Sequence, residues 1–236
     1  MSAGRTVLIT GAGHGLGLEW ARQDLADGAV VFATARDPED SPDLRRLAEE
    51  AGAALTVLPM DVCDDASVER CAGEVGSRVR SLDGLINNAG VHGPRDDRAL
   101  RASAGELRRV LEVNTIGPYR VTRAFLPLLR NGREARVVFV TSRMGSIGDT
   151  PSGGSYAYRM SKSALNMLGA NLARDLRSEG ILCLVLHPGW VRTRMGGERA
   201  PLSAPAAVGG MRRVAAGATI RESGAFLDHT GAPVPW

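Results

Sequence analysis

Of the 29 basic residues in this 236-residue sequence, one, Lys162, is lysine and the other 28 are arginine. Cysteine is also scarce: Cys63, Cys71 and Cys183 are odd in number and form no C-x-x-C pair. That excludes a disulfide framework and a cysteine metal cluster, so no metal site is expected. It fits a protein of the reducing cytoplasm. Aromatic residues make up 4% of the chain and are not interleaved with basic ones. The net charge is only +3, and the arginines are scattered among Asp and Glu. Nucleic acid is therefore not an expected partner. No run of 18 apolar residues exists, and neither a spanning helix nor a membrane partner is expected. The first residues enter a strand-like run without an apolar leader segment.

The 44% hydrophobic and 23% charged residues describe an ordinary globular chain, long enough for one domain over 1–236. Short apolar runs alternate with amphipathic ones. Val7-Leu8-Ile9, Val30-Val31-Phe32-Ala33, the run 55–58, Leu85-Ile86, the run 137–140 and the run 182–186 read as strands. Between them lie helical patterns near 16–26, from Ser41-Pro42 onward, at 65–79, from Ser103 onward and at 156–179. Ser103 and Glu106 have the spacing of a capping box. Pro118 predicts a kink or loose turn in the helix that follows. A helix near 204–216 and a short strand near 225–227 close the chain. The strands lack clean alternation, as strands buried on both faces do. The β-α repeat predicts an α/β fold, a doubly wound parallel sheet with helices on both faces. In such sheets ligands bind beyond the carboxyl ends of the strands.

The first such end reads Thr10-Gly11-Ala12-Gly13-His14-Gly15-Leu16-Gly17 and opens into a helix. Its pattern is T-G-x-x-x-G-x-G rather than G-x-G-x-x-G. The glycines permit a sharp turn and let a pyrophosphate approach free N–H groups at the helix start. The second strand ends at Arg36-Asp37. Arg36 suits a ribose 2′-phosphate, with His14 as a further donor, which favours NADP(H), with NAD(H) the second candidate. Asp37 either pairs with Arg36 or turns away. Asp61 and Val62 follow the third strand, with a helix cap as the other reading of Asp61. Asn87-Asn88-Ala89-Gly90 follows the fourth. Its amides can pin neighbouring strand ends and leave a small backbone against a flat ring.

Tyr158 and Lys162 are spaced i,i+4 and share a helix face. A tyrosine ordinarily titrates near 10, and an adjacent ammonium favours its phenolate. Arg usage makes the placement of the only lysine informative, because a compact ammonium differs chemically from a planar fork. Ser142, after the fifth strand, can bond a substrate oxygen near Tyr158, while Thr141 points into packing. Asn114 lies mid-helix, where a buried amide can hold a water that relays protons to Lys162.

Together, T-G-x-x-x-G-x-G at 10–17, N-N-A-G at 87–90, Asn114, Ser142, Y-x-x-x-K at 158–162 and Pro188-Gly189 resemble the short-chain dehydrogenase/reductase family over the whole chain. The stretches 142–149, 156–162, His187-Pro188-Gly189-Trp190-Val191 and the end at Pro235-Trp236 are similar to its C-factor and sniffer-like carbonyl reductase branch. The resemblance implies a Rossmann-type sheet of seven strands and a tetrad of Ser142, Tyr158, Lys162 and Asn114. It also implies that Tyr158 transfers the proton, that Lys162 binds the nicotinamide ribose, and that Pro188, Gly189, Val191 and Thr193 lie by the nicotinamide. A carbonyl or alcohol is the expected substrate and a homodimer or homotetramer the expected assembly. The alternative is a nucleotide-binding signalling or interaction protein on the same fold without turnover. Arg194 stands where that branch carries an acidic residue. The 16-residue interval from Ser142 to Tyr158 is slightly long, so the loop between is expected to bulge into the substrate mouth. Substrate loops are expected at about 91–101, 143–155 and 190–206. Arg143, Arg192 and Arg194 there either meet an acidic substrate or face solvent.

Overall fold

The Val-, Ile- and Leu-rich runs become strands β1 (Thr6–Ile9), β2 (Val30–Ala35), β3 (Leu55–Pro59), β4 (Gly84–Asn87), β5 (Arg136–Val140), β6 (Leu182–His187) and β7 (Phe226–Asp228). The computed structural model describes residues 4–94 and 101–236. Among these residues the strands form one parallel sheet in the order β3-β2-β1-β4-β5-β6-β7. Helices α1 (Gly15–Ala26), α2 (Pro42–Ala51), α3 (Asp65–Arg78), α4 (Ala104–Leu111), α5 (Gly117–Arg130), α6 (Tyr156–Asp175) and α7 (Ala204–Gly217) cover its faces.

Alternate residues of the central strands enter two different cores. Val7, Ile9, Val138 and Val140 pack with Trp20 of α1, Leu44 of α2 and Met211 of α7. Leu8, Val137 and Phe139 pack on the other side with Val68 of α3, Phe125 of α5 and Leu165 of α6. This explains why the strands show no polar face. Each fully buried large side chain, such as Phe125 or Leu44, contributes about 1.5–3 kcal/mol of burial free energy.

Two helix expectations are corrected. Pro118 itself sits in the first turn of α5, so the loose turn expected of it falls one turn earlier. The irregularity lies just upstream. Glu112–Ile116 is a π-helical segment, closed by the Gly117 N–H on the Glu112 carbonyl. Pro118 also has no N–H to offer the Asn114 carbonyl four residues back. The 156–179 helix ends at Asp175, and Arg177–Glu179 is a separate 3-10 turn closed by Gly180 at φ +73°. The ends of β7 and of the remaining helices agree with expectation to within a residue or so. Strand order reverses between β1 and β4, and the carboxyl ends of these strands open the cleft described next.

Candidate active site

A cleft of about 1320 Å³ runs across the carboxyl ends of the strands. Ordinary small-ligand pockets hold about 300–1,000 Å³, so this one has room for more than one reactant. Its floor begins with the 10–17 loop. Gly11 adopts φ +64°, and a Cβ there would stand 2.8 Å from the Ala89 Cα. Gly17 lies behind the floor, where a Cβ would stand 2.5 Å from both the Gly11 carbonyl and the Asn88 Nδ2. These two glycines seat α1 against the loop, while Gly13, Gly15 and Leu16 face the cleft. The first turn of α1 carries no acidic residue, so its positive end is available to an anion. His14 occupies the N-cap position at the cleft. Burial first, and Arg194 second, lower its pKa.

Thr10 and Asn88 tie β1 to β4 at the reversal. The Thr10 hydroxyl donates to the Ile86 carbonyl at 3.3 Å and accepts from the N–H groups of Asn88 (3.0 Å) and Ala89 (2.9 Å). The Asn88 amide donates back to the Thr10 and Gly11 carbonyls at 2.9 and 3.1 Å. Asn87 reaches the other way, to the Thr122 hydroxyl on α5. Ala89 and Gly90 are left as a small backbone wall of the cleft.

At the other end, Arg36 is exposed on the cleft edge and makes no ion pair among the described residues. Asp37 turns away from it and accepts the Glu39 N–H at 3.0 Å. Asp61 is not the cap of α3; Asp64 is, accepting from the N–H groups of Ala66 and Ser67. Asp61 instead accepts the Cys63 N–H at 2.9 Å, and with Val62 it lines the cleft.

The reactive-looking side chains meet between β5 and α6. Tyr158 and Lys162 are 8% and 4% exposed, so both face inward rather than solvent. The Ser142 hydroxyl hydrogen-bonds the Tyr158 oxygen and accepts the Met144 N–H at 3.1 Å. The turn carrying Ser142 is held on α6 by the Ser163 hydroxyl, which donates to the Gly145 carbonyl at 2.8 Å. Thr141 does point into packing, donating to the Asn166 carbonyl oxygen at 2.6 Å. Lys162 Nζ lies 5.7 Å from the Tyr158 ring centroid and donates to the Val140 carbonyl at 2.9 Å. Burial pushes Tyr158 up to about 12, with the Ser142 hydrogen bond pulling the other way. Burial pushes Lys162 down to about 8. The expectation of a phenolate favoured by the ammonium is therefore corrected: the phenol is held protonated, because desolvation outweighs its partners.

Asn114 does not line the cleft. It is fully buried in the π segment with its amide committed: Oδ1 accepts the Val91 N–H, and Nδ2 donates to the Val91 carbonyl and the Ser161 hydroxyl. The side chain thus clamps the wall after Gly90. A Cβ on Gly90 would stand 3.3 Å from Asn114 Oδ1 and 3.7 Å from Lys162 Nζ, so all three residues are neighbours.

Pro188, Gly189, Val191 and Thr193 close the far side of the cleft. Of the 143–155 loop only Arg143 and Met144 line it. The rest is drawn toward the C-terminus, where the Trp236 carbonyl accepts the Gly148 N–H at 2.7 Å, and does not bulge into the mouth. Arg143 pairs with Asp149, Arg194 lines the cleft and Arg192 is exposed outside it. Residues 95–100 of the first expected loop lie outside the described residues. His92 falls in the expected 91–101 loop and His187 in the quoted 187–191 stretch, but neither was singled out as a cleft residue, and Arg109 was missed altogether. Position two after N-N-A-G was the available signal for His92; none marked Arg109.

The short chain dehydrogenase family model matches residues 5–202. The chain is 49% identical over 160 residues to C-signal of Myxococcus xanthus, covering 66% of this chain and 93% of that protein. It is 37% identical over 236 residues to 1-hydroxy-2-glutathionyl-2-methyl-3-butene dehydrogenase of Rhodococcus sp. (strain AD45), covering 98% and 99%. Among solved structures, NADPH-bound carbonyl reductase from chicken fatty liver superposes with a TM-score of 0.93 at 36% identity, covering 98% of this chain and 99% of that one. The chain belongs to the short-chain dehydrogenase family, a family of oxidoreductases, and has carbonyl reductases among its neighbours.

Proposed function

We propose that this protein is an NADP(H)-dependent oxidoreductase that interconverts a small-molecule carbonyl and its alcohol, working as one domain over 1–236. The observation that carries the reading is the convergence of Tyr158, Ser142 and Lys162 on the cleft floored by the glycine loop. The cleft suits a phosphorylated dinucleotide: it offers a helix start without acidic residues and an exposed Arg36 without an ion pair among the described residues. When bound, the dinucleotide supplies or accepts the hydride.

Gly11, Gly13, Gly15 and Leu16 hold the pyrophosphate, with Gly17 behind them. Arg36 and His14 hold the 2′-phosphate, with Asp61 and Val62 beside the adenine. Asn88, Ala89, Gly90, Pro188, Gly189, Val191 and Thr193 bound the nicotinamide end, and Lys162 holds its ribose. Ser142 orients the substrate oxygen. Tyr158 donates its proton to that oxygen in reduction and takes it back in oxidation. Asn114 fixes the wall between these groups. NADPH-bound carbonyl reductase among the structural neighbours supports both the cofactor and the chemistry.

The test is NADPH oxidation by purified protein against a panel of dicarbonyls, quinones and aldehydes. Turnover is expected in the wild type and not in Tyr158→Phe; a Phe variant that still turns over overturns the assignment of the proton donor. Exposed Ile116, Tyr119, Met160 and Met167 on and beside α5 and α6 support a homodimer or homotetramer packed through these helices, which light scattering tests. The three free cysteines support a cytoplasmic location, and among the described residues no helix is long and apolar enough to cross a membrane.

A further inference from the structure

The face of the Tyr158 ring is covered. His92 stacks on it with ring centroids 4.6 Å apart and planes 18° from parallel. His92 comes from the segment after β4, outside both the glycine loop and the Ser142–Tyr158–Lys162 set. That segment is fixed on both sides of the histidine. Asn114 clamps Val91 through its N–H and its carbonyl, each at 2.8 Å. Gly93 follows at φ +80°, where a Cβ would press to 2.8 Å from Val110 Cγ2. Asn114 also bonds the Ser161 hydroxyl, which in turn donates to the Tyr158 carbonyl. A closed circuit therefore joins Val91, Asn114, Ser161 and the Tyr158 backbone, and returns through the two stacked rings.

We propose that His92 is a positioning residue for proton transfer: its flat ring locks the Tyr158 phenol in the rotamer that meets Ser142 and keeps water off the ring face. The inference rests on Tyr158 being the proton donor. The tyrosine oxygen lies on the ring's flip axis, so rotation about χ2 leaves it in place, whereas a change in χ1 swings it across the cleft. A stacked ring obstructs that swing and adds the attraction of offset aromatic faces. Holding the donor within hydrogen-bond reach of its acceptor is what proton transfer demands, and small displacements are costly in rate. The covered face also accounts for part of the burial that keeps the phenol protonated. The flat ring does this work, so phenylalanine, which keeps it, is the conservative replacement and alanine the disruptive one.

The experiment compares His92→Ala and His92→Phe with wild type in the full chain, using NADPH and an o-quinone. For the Ala variant, kcat should fall about tenfold or more while the KM for NADPH stays within about twofold. The Phe variant should return kcat to within about threefold of wild type. A second readout does not need turnover: nitration of Tyr158 by tetranitromethane, followed by peptide mass. The Ala variant should nitrate several-fold faster and the Phe variant at the wild-type rate. Equal nitration of Ala and wild type overturns the inference, as does a Phe variant as slow in turnover as Ala, or a kcat loss matched by a rise in the NADPH KM. A wild type with no turnover on any carbonyl overturns the oxidoreductase reading instead, and the nitration rates still decide the role of His92.

Discussion

The ammonium of Lys162 stands 5.7 Å from the centroid of the Tyr158 ring, yet its 2.9 Å hydrogen bond goes to the Val140 carbonyl at the end of β5. The pair is thus arranged through the sheet rather than by direct contact. Lys162 is anchored to a strand end, Tyr158 to Ser142, and α6 sets their separation by its i,i+4 geometry. The consequence is a phenol that keeps its proton and an ammonium that gives its own up easily.

The first prediction concerns direction and pH. A phenol pushed up to about 12 is protonated throughout the neutral range, so it is ready to donate in carbonyl reduction. Reduction should show no ascending limb between about pH 6 and 8. Oxidation needs the deprotonated form, whose fraction rises about tenfold per pH unit below the pKa, so alcohol oxidation should accelerate steeply with pH. Initial rates in both directions across pH 6–10 check this. An oxidation rate flat over that range contradicts it.

The second concerns stability. Burial lowers Lys162 from 10.5 to about 8. The unfolded chain therefore holds more protons than the folded one between these values, and stability rises with pH through that window. Below about pH 8 the whole cost is present, about 3 kcal/mol. Lys162→Met should remove it at pH 7, less about 1 kcal/mol for the Val140 carbonyl left without its donor. A net gain of about 2 kcal/mol raises Tm by about 5 °C in a chain of this size. Thermal unfolding without cofactor checks it; the same variant should lose turnover. A lower Tm at pH 7 would show that the bonds and packing of Lys162 outweigh its burial cost.

Much of this was legible from side-chain type and spacing. The β-α alternation and unalternating strands led to the parallel sheet because burial on both faces leaves its mark in composition. Thr10, Gly11, Asn88, Ser142, Tyr158 and Lys162 were legible because each stands at a strand end or on one helix face. Asn114 was found by position, but its clamp on Val91 was not, since a hydrogen-bond partner 23 residues away has no local signature. The looseness expected from Pro118 falls one turn earlier, in the π segment, where the Asn114 carbonyl lacks the N–H that proline cannot offer. His92 was missed because a ring stack between distant residues depends on how the 91–93 wall leans on α4 and α6. The pKa of Tyr158 was misjudged because burial, not the neighbouring charge, is the larger influence.

The third prediction tests cofactor choice. Arg36 is exposed, without an ion pair among the described residues, and Asp37 is engaged by the Glu39 N–H. A charge-assisted bond from Arg36 to a 2′-phosphate is worth about 1.5–3 kcal/mol. Arg36→Leu should therefore raise the KM for NADPH about 10- to 100-fold and leave that for NADH nearly unchanged. The KM ratio for the two cofactors is the measurement. An unchanged ratio would place the 2′-phosphate elsewhere.

The fourth tests the joint at the sheet's reversal. One hydroxyl, that of Thr10, serves the Ile86 carbonyl and the N–H groups of Asn88 and Ala89, and Thr10 is 1% exposed. Thr10→Val keeps the shape and deletes all three bonds. The Asn88 N–H and the Ile86 carbonyl keep a backbone bond to each other at 3.0 Å, so the Ala89 N–H is the group that loses its partner, at a cost of about 1–3 kcal/mol. A loss of about 1–3 kcal/mol is expected, with Tm falling by about 2–12 °C. The joint also carries Gly90 and, beyond it, the wall on which the nicotinamide end is proposed to rest. Dinucleotide affinity should fall with the stability, while Thr10→Ser, which retains the hydroxyl, should recover most of both. Chemical denaturation and NADP⁺ titration of the two variants separate the outcomes: equal losses in Ser and Val would assign the effect to the missing methyl and its packing, not to the hydroxyl.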